Sequence, residues 1–146
     1  MSILRELGTP IFYAEGKTAP GPESYSLRVE GLVREKRVFT LQALKALPNS
    51  TVCARLTSVS GWSVRADWEG VLFRNFLKEL ELLPEATHAS FCSFGGYSTC
   101  ISLKDLESPR VLLCWGVGGE PLEPEYGGPL RLLVPNLWGY KSVKGL

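Results

Sequence analysis

Apolar and polar residues alternate over several short runs of this chain and recur at helical spacing in only two. Residues 25–31 read Tyr-Ser-Leu-Arg-Val-Glu-Gly, with apolar side chains at every second position. That is the pattern of a half-buried strand. Residues 51–59 are rich in β-branched and small side chains and predict a second strand. Residues 89–94, 99–103, 111–115 and 130–135 are four further strand candidates. Helical spacing appears first between Thr40 and Pro48, where Leu41, Leu44 and Leu47 share a face. Thr40 is placed to cap this helix and Pro48 to stop it. It appears again over residues 71–83, where Phe73, Phe76, Leu77, Leu80 and Leu83 form one stripe and Pro84 follows. Short strands therefore outnumber helices, and the pattern predicts an α+β fold dominated by sheet.

The 146 residues fit one domain, with residues 1–24 as an N-terminal arm and linker. The linker is marked by Gly16–Glu23, which holds two prolines and two glycines. A net charge of +1 gives no broad field for nucleic acid or an anionic membrane, so any anion site must be local. No apolar run approaches the roughly 20 residues of a spanning helix. The first residues also lack the basic start and apolar run of a signal peptide. These features lead to the expectation of a cytoplasmic protein.

Standard catalytic and metal-binding patterns are scarce. Cys53, Cys92, Cys100 and Cys114 form no C-x-x-C pair, so they are expected to be buried, reduced thiols. The single histidine, His88, opens a strand and has no serine elbow beside it. Gly116-Val-Gly-Gly119 reads as a hairpin turn. The C-terminal third is more informative. Arg131 interrupts an apolar strand, and its planar fork suits a phosphate or a polar heterocycle. After a glycine come Lys141, Ser142, Val143 and Lys144, a turn whose backbone N–H groups and ammonium charges could cradle a phosphate. The competing assignment makes Arg131 an edge residue paired with Glu123 or Glu125, and the lysines solvated.

Several blocks together resemble a known family. Gly-Gly-Pro-Leu-Arg-Leu-Leu-Val-Pro at 127–135, followed by Trp-Gly-Tyr-Lys-Ser-Val-Lys at 138–144, resembles the pattern GxPxRxxVP…G(Y/F)KxxK. Ser-Val-Ser-Gly-Trp-Ser at 58–63, with Trp-Glu-Gly-Val at 68–71, is similar to CVxGWS…WxGV. Residues 86–97 and the opening Tyr25-x-Leu27-x-Val29-x-Gly31 match two further blocks. The combination, over residue 25 to the C-terminus, resembles the molybdopterin-binding domains of sulfite oxidases, plant-type nitrate reductases and bacterial methionine-sulfoxide reductase catalytic subunits.

The resemblance implies a sheet-rich sulfite-oxidase-type domain holding one molybdopterin with molybdenum. It implies that Arg131 contacts the pterin, and that Ser142, Val143 and Lys144 bind its phosphate, with Lys141 beside them. It places Ser93, Tyr126 and Tyr13 near the cofactor. It implies oxygen-atom transfer to or from a small oxyanion or sulfoxide, with a separate electron-transfer partner. The family's metal-binding cysteine is replaced here by Ser58. Cys53 lies an odd number of residues away, and so faces the other side of a regular strand. Thiolate is the softer ligand for molybdenum, although a metal can bind a serine as alkoxide. The alternative is a non-catalytic pterin- or phosphate-binding module, or a protein-interaction module, that has lost the metal.

Overall fold

In a computed structural model, the described residues are 23–57, 63–93, 97–122, 128–135 and 146. They form three β-layers around short helices. A two-stranded ribbon pairs β1 (Ser26–Val29) with β2 (Arg37–Thr40). Thr40 then ends the strand and caps α1 (Leu41–Lys45), its hydroxyl accepting from the Ala43 N–H at 3.1 Å. A second ribbon pairs β5 (His88–Cys92) with β6 (Ser98–Ser102). Ser102 caps the single turn of α3 (Leu103–Leu106) through the Asp105 N–H.

The central sheet is antiparallel. β3 (Asn49–Thr57) pairs with β4 (Ser63–Leu72), and β4 pairs with β7 (Leu112–Val117). The other edge of β7 is shared by β8 (Glu120–Pro121) and β9 (Arg131–Leu133). The register slips between Glu69 and Gly70, so Trp115 is an extra residue on β7 and forms a bulge. Gly70 is needed there: a Cβ at this position would run into the Leu113 carbonyl. Beyond β7, Gly118 and Gly119 both have positive φ and make the hairpin turn expected from their sequence.

Strand alternation gives this sheet two buried faces. Val71, Leu113, Leu130, Leu132 and Val134 pack with Phe73, Phe76 and Leu80 of α2 (Phe73–Leu80) in the main core. Ala54, Trp68, Leu112, Cys114, Val117, Leu122 and Leu133 form a second cluster on the opposite face.

Several expectations need correction. The helix expected over 71–83 begins only at Phe73, because the unforeseen strand β4 runs through Val71 and Leu72. Leu83 lies past the helix and is exposed. β2 and α3 were likewise not expected; each is only four residues long, too short to show a period. Of the four cysteines all are free, but only Cys114 is buried. Cys92 and Cys100 occupy the outward positions of a two-stranded ribbon, and Cys53 the outward position of β3, where alternation leaves one face to water.

Candidate functional site

The chemistry of the second face centres on β9. Its register places Leu132 opposite Leu113, and Arg131 opposite Cys114. Neighbouring residues on a strand point to opposite faces. Leu132 therefore enters the main core, while Arg131 joins Trp68, Cys114 and Leu133. Arg131 has no exposed surface; Glu123 and Glu125, its partners in the competing assignment, lie outside the described residues.

Burial of a guanidinium demands support, and two contacts supply part of it. The Arg131 Nε–H donates to the Leu132 carbonyl at 3.4 Å. The guanidinium lies over the Trp68 ring, 5.5 Å from the centroid, in reach of the negative ring face. Trp68 is itself fixed, since its Nε1–H donates to the Ala54 carbonyl across the strand pair at 3.2 Å. The indole is thus a rigid platform rather than a loose neighbour.

The electrostatics follow from burial. Desolvation lowers the Arg131 pKa to about 10, with the facing Cys114 opposing that shift. Arg131 remains charged at neutral pH. Desolvation raises the Cys114 thiol to about 11, and the Arg131 charge opposes it. Cys114 is therefore a protonated thiol at neutral pH, and its S–H is directed at the Gly116 carbonyl at 3.2 Å. Neighbouring Glu69 accepts from the Gly119 N–H at 2.9 Å and ties β4 to the β7–β8 turn.

Ser93 lies elsewhere. It follows β5, is buried, and its N–H donates to the Tyr97 carbonyl at 2.7 Å, closing the ribbon. It lines a cavity of about 820 Å³ between β1, β5 and α2, whose floor includes Phe73, Phe76, Leu77 and Leu113. That cavity opens on the main-core side of the sheet, and Arg131 is not among its lining residues. The other candidates, Tyr13, Ser58, Tyr126, Lys141, Ser142, Val143 and Lys144, lie outside the described residues. Among the described residues, no three His, Cys, Asp or Glu side chains are grouped to hold a metal. No described helix is long and apolar enough to cross a membrane.

Sequence reasoning found Arg131 but not its support. Trp68 and Cys114 acquire meaning only from register, because they come from strands β4 and β7. The usable signal was the even spacing of Ala66, Trp68 and Gly70, which assigns one face of β4.

Comparison with known proteins adds independent information. The model of the oxidoreductase molybdopterin-binding domain matches residues 15–146. A putative protein-methionine-sulfoxide reductase subunit, YedZ1, of Azospira oryzae is 35% identical over 121 residues, covering 83% of this chain and 46% of that protein. The catalytic subunit MsrP of a protein-methionine-sulfoxide reductase from Gluconobacter oxydans is 29% identical over 159 residues, covering 92% and 51%. The sulfane dehydrogenase SoxCD of Paracoccus pantotrophus superposes with a TM-score of 0.79 at 24% identity, covering 88% of this chain and 38% of that one. The chain spans about half the length of these two curated relatives.

Proposed function

The chain belongs to the oxidoreductase molybdopterin-binding domain family, and from that premise we propose that it binds a molybdenum–pterin cofactor and serves oxygen-atom transfer to or from a small oxyanion or sulfoxide. Its fold is the sheet-rich, sulfite-oxidase-type α+β architecture. The single observation that carries the reading is the buried Arg131 guanidinium on the second face of the central sheet, braced by the Trp68 indole. The planar donors of a guanidinium match an anionic, heteroaromatic group.

The residues would divide the work as follows. Arg131 would donate to the pterin. Ser142 and Val143, through backbone N–H groups, and Lys144, through its ammonium, would hold the phosphate end, with Lys141 adding positive charge. Ser93, Tyr126 and Tyr13 would line the remaining approach. Ser58 occupies the family's metal-ligand position and would offer a hydroxyl where relatives of this kind offer a thiol. When bound, the molybdenum supplies two-electron oxygen-atom transfer, and a separate protein would carry the electrons. The proposed site of action is a reducing, cytoplasmic compartment, in which exposed thiols such as Cys53 and Cys92 stay reduced.

The test is production in a host that synthesises the cofactor, followed by molybdenum analysis and pterin fluorescence after oxidation. We expect one molybdenum and one pterin per chain. Arg131→Ala should lose both, and Ser58→Ala should lose molybdenum while retaining pterin. Protein without pterin, at full occupancy of a parallel control enzyme, overturns the proposal. Pterin with molybdenum unaffected by Ser58→Ala removes Ser58 from the ligand set.

A further inference from the structure

The structure points to a further binding surface: we propose that the gap between β1 and β5 docks one extended segment of a partner polypeptide as an added β-strand. Among the described residues, each of these strands has a partner on one side only, β2 for β1 and β6 for β5. The cavity is lined by every residue of β1 and every residue of β5, and by none of β2 or β6. The two unpartnered edges therefore face one another across it. Among the described residues, no backbone group outside the two ribbons bonds to Ser26–Val29 or His88–Cys92.

An unpaired strand edge presents a row of N–H and C=O groups that template another strand. Two such edges over one floor specify the occupant more narrowly than either alone. The occupant must be extended, and it must offer donors and acceptors on both sides.

Polarity sets its sequence. Inward positions of the walls are apolar: Leu27 and Val29 on β1, Ala89 and Phe91 on β5, above Phe76 and Leu77 of α2. Outward positions are polar and exposed: Arg28 and Glu30 on one wall, His88 and Ser90 on the other. A fitting segment alternates apolar and polar residues, with an acid among the outward ones to meet Arg28. With walls of four and five residues, the slot takes a strand of about that length, roughly 15 Å at ordinary rise per residue.

The probe is a blocked heptapeptide, Lys-Val-Glu-Val-Thr-Val-Lys, added at millimolar concentration to the full chain. Amide hydrogen exchange is followed residue by residue by NMR. We expect exchange to slow at least tenfold at alternate amides of both β1 and β5. The same peptide N-methylated at its central valine should lose this protection, and Leu77→Glu should weaken binding at least tenfold while the β1–β2 and β5–β6 ladders persist. Four results overturn the proposal. Exchange may be unchanged by the peptide, or slowed along one wall alone. Both edges may be protected in the peptide-free monomer, which would mean the chain fills its own slot. Protection may rise with protein concentration alongside a dimer in sedimentation, which would assign the slot to a second copy.

Discussion

The two faces of the central sheet are built from the same strands, yet they differ in kind. On the α2 face, Leu113, Leu130, Leu132 and Val134 meet Phe73 and Phe76, whose rings pack 5.6 Å apart, and among the described residues no charged side chain is buried there. On the other face, Trp68 and Cys114 surround a guanidinium that is as fully buried as any leucine. The contrast is sharpest on β9, where adjacent residues, Arg131 and Leu132, go to opposite faces. Apolar burial stabilises the fold at every position where it occurs. Burying a charge does not, unless something else balances it. The second face therefore adds to its own apolar burial a charged group whose desolvation works against folding.

The comparison predicts unequal responses. The largest loss belongs to Leu132→Ala, which opens a void in the main core and should cost about 2–5 kcal/mol. Chemical denaturation reads this as a lower midpoint with an unchanged slope. A loss below about 1 kcal/mol would mean the α2 face is not the stabilising one. Next comes Gly70→Ala. Its new methyl group has backbone in its path, the Leu113 carbonyl, which cannot swing aside as a side chain would. Relieving that clash should cost about 1–3 kcal/mol. It should also loosen the β4–β7 bulge, visible as faster amide exchange on both strands near Trp115.

The sequence made the first face more legible than the second. The stripe from Phe73 to Leu80 was readable because helical spacing repeats over more than two turns. Strand positions near 26–29, 88–92 and 112–117 were readable within one or two residues from alternation or apolar runs. β4 was not, because over residues 65–70 Arg65, Asp67 and Glu69 alternate with small Ala66 and Gly70, leaving Trp68 as the one large apolar signal there, while Val71 and Leu72 read as the start of the helix. Three cysteines were misjudged because their type favours burial while their strand face does not. Within the site, Arg131 stood out as a charge in an apolar run. Its neighbours could not stand out, since Trp68 and Cys114 meet it only through pairing between distant strands.

A smaller effect separates the faces by pH. The folded Cys114 thiol has its pKa raised above the ordinary 9.0, to about 11, by burial. Between those values the folded chain keeps a proton that the unfolded chain has released. Its contribution is complete below pH 9 and is lost as pH rises toward 11. From pH 9 to 10 stability should fall with a slope approaching about 1.4 kcal/mol per pH unit. The main core holds another such group, since burial also raises the Tyr25 phenol, but from an ordinary value of 10.0, so Tyr25 enters later. Cys114→Val should therefore flatten the curve between pH 9 and 10; above pH 10 the lowered Arg131 pKa works against the Tyr25 decline. A curve unchanged by that substitution would show that the second face does not govern the first alkaline step.

The smallest expected change in stability is the most discriminating. Arg131→Met keeps a long side chain against Trp68 while removing the charge. Burial already works against that charge, as the lowered pKa of about 10 shows. Replacing the buried guanidinium by an apolar side chain of similar volume removes the desolvation of the charge and also its contacts, and with the two offsetting one another the cofactor-free protein should change by less than about 1 kcal/mol in either direction. The same substitution made at Leu132, Leu132→Met, is also a volume-conserving swap and should cost less than about 1.5 kcal/mol. Stability alone thus treats the two neighbours alike, and pterin content must tell them apart. Protein made in a cofactor-producing host should retain pterin in Leu132→Met and lose it in Arg131→Met. If Arg131→Met instead unfolds the chain, the guanidinium is a structural tie of the second face. If it folds and still carries pterin, Arg131 is not the group that holds it.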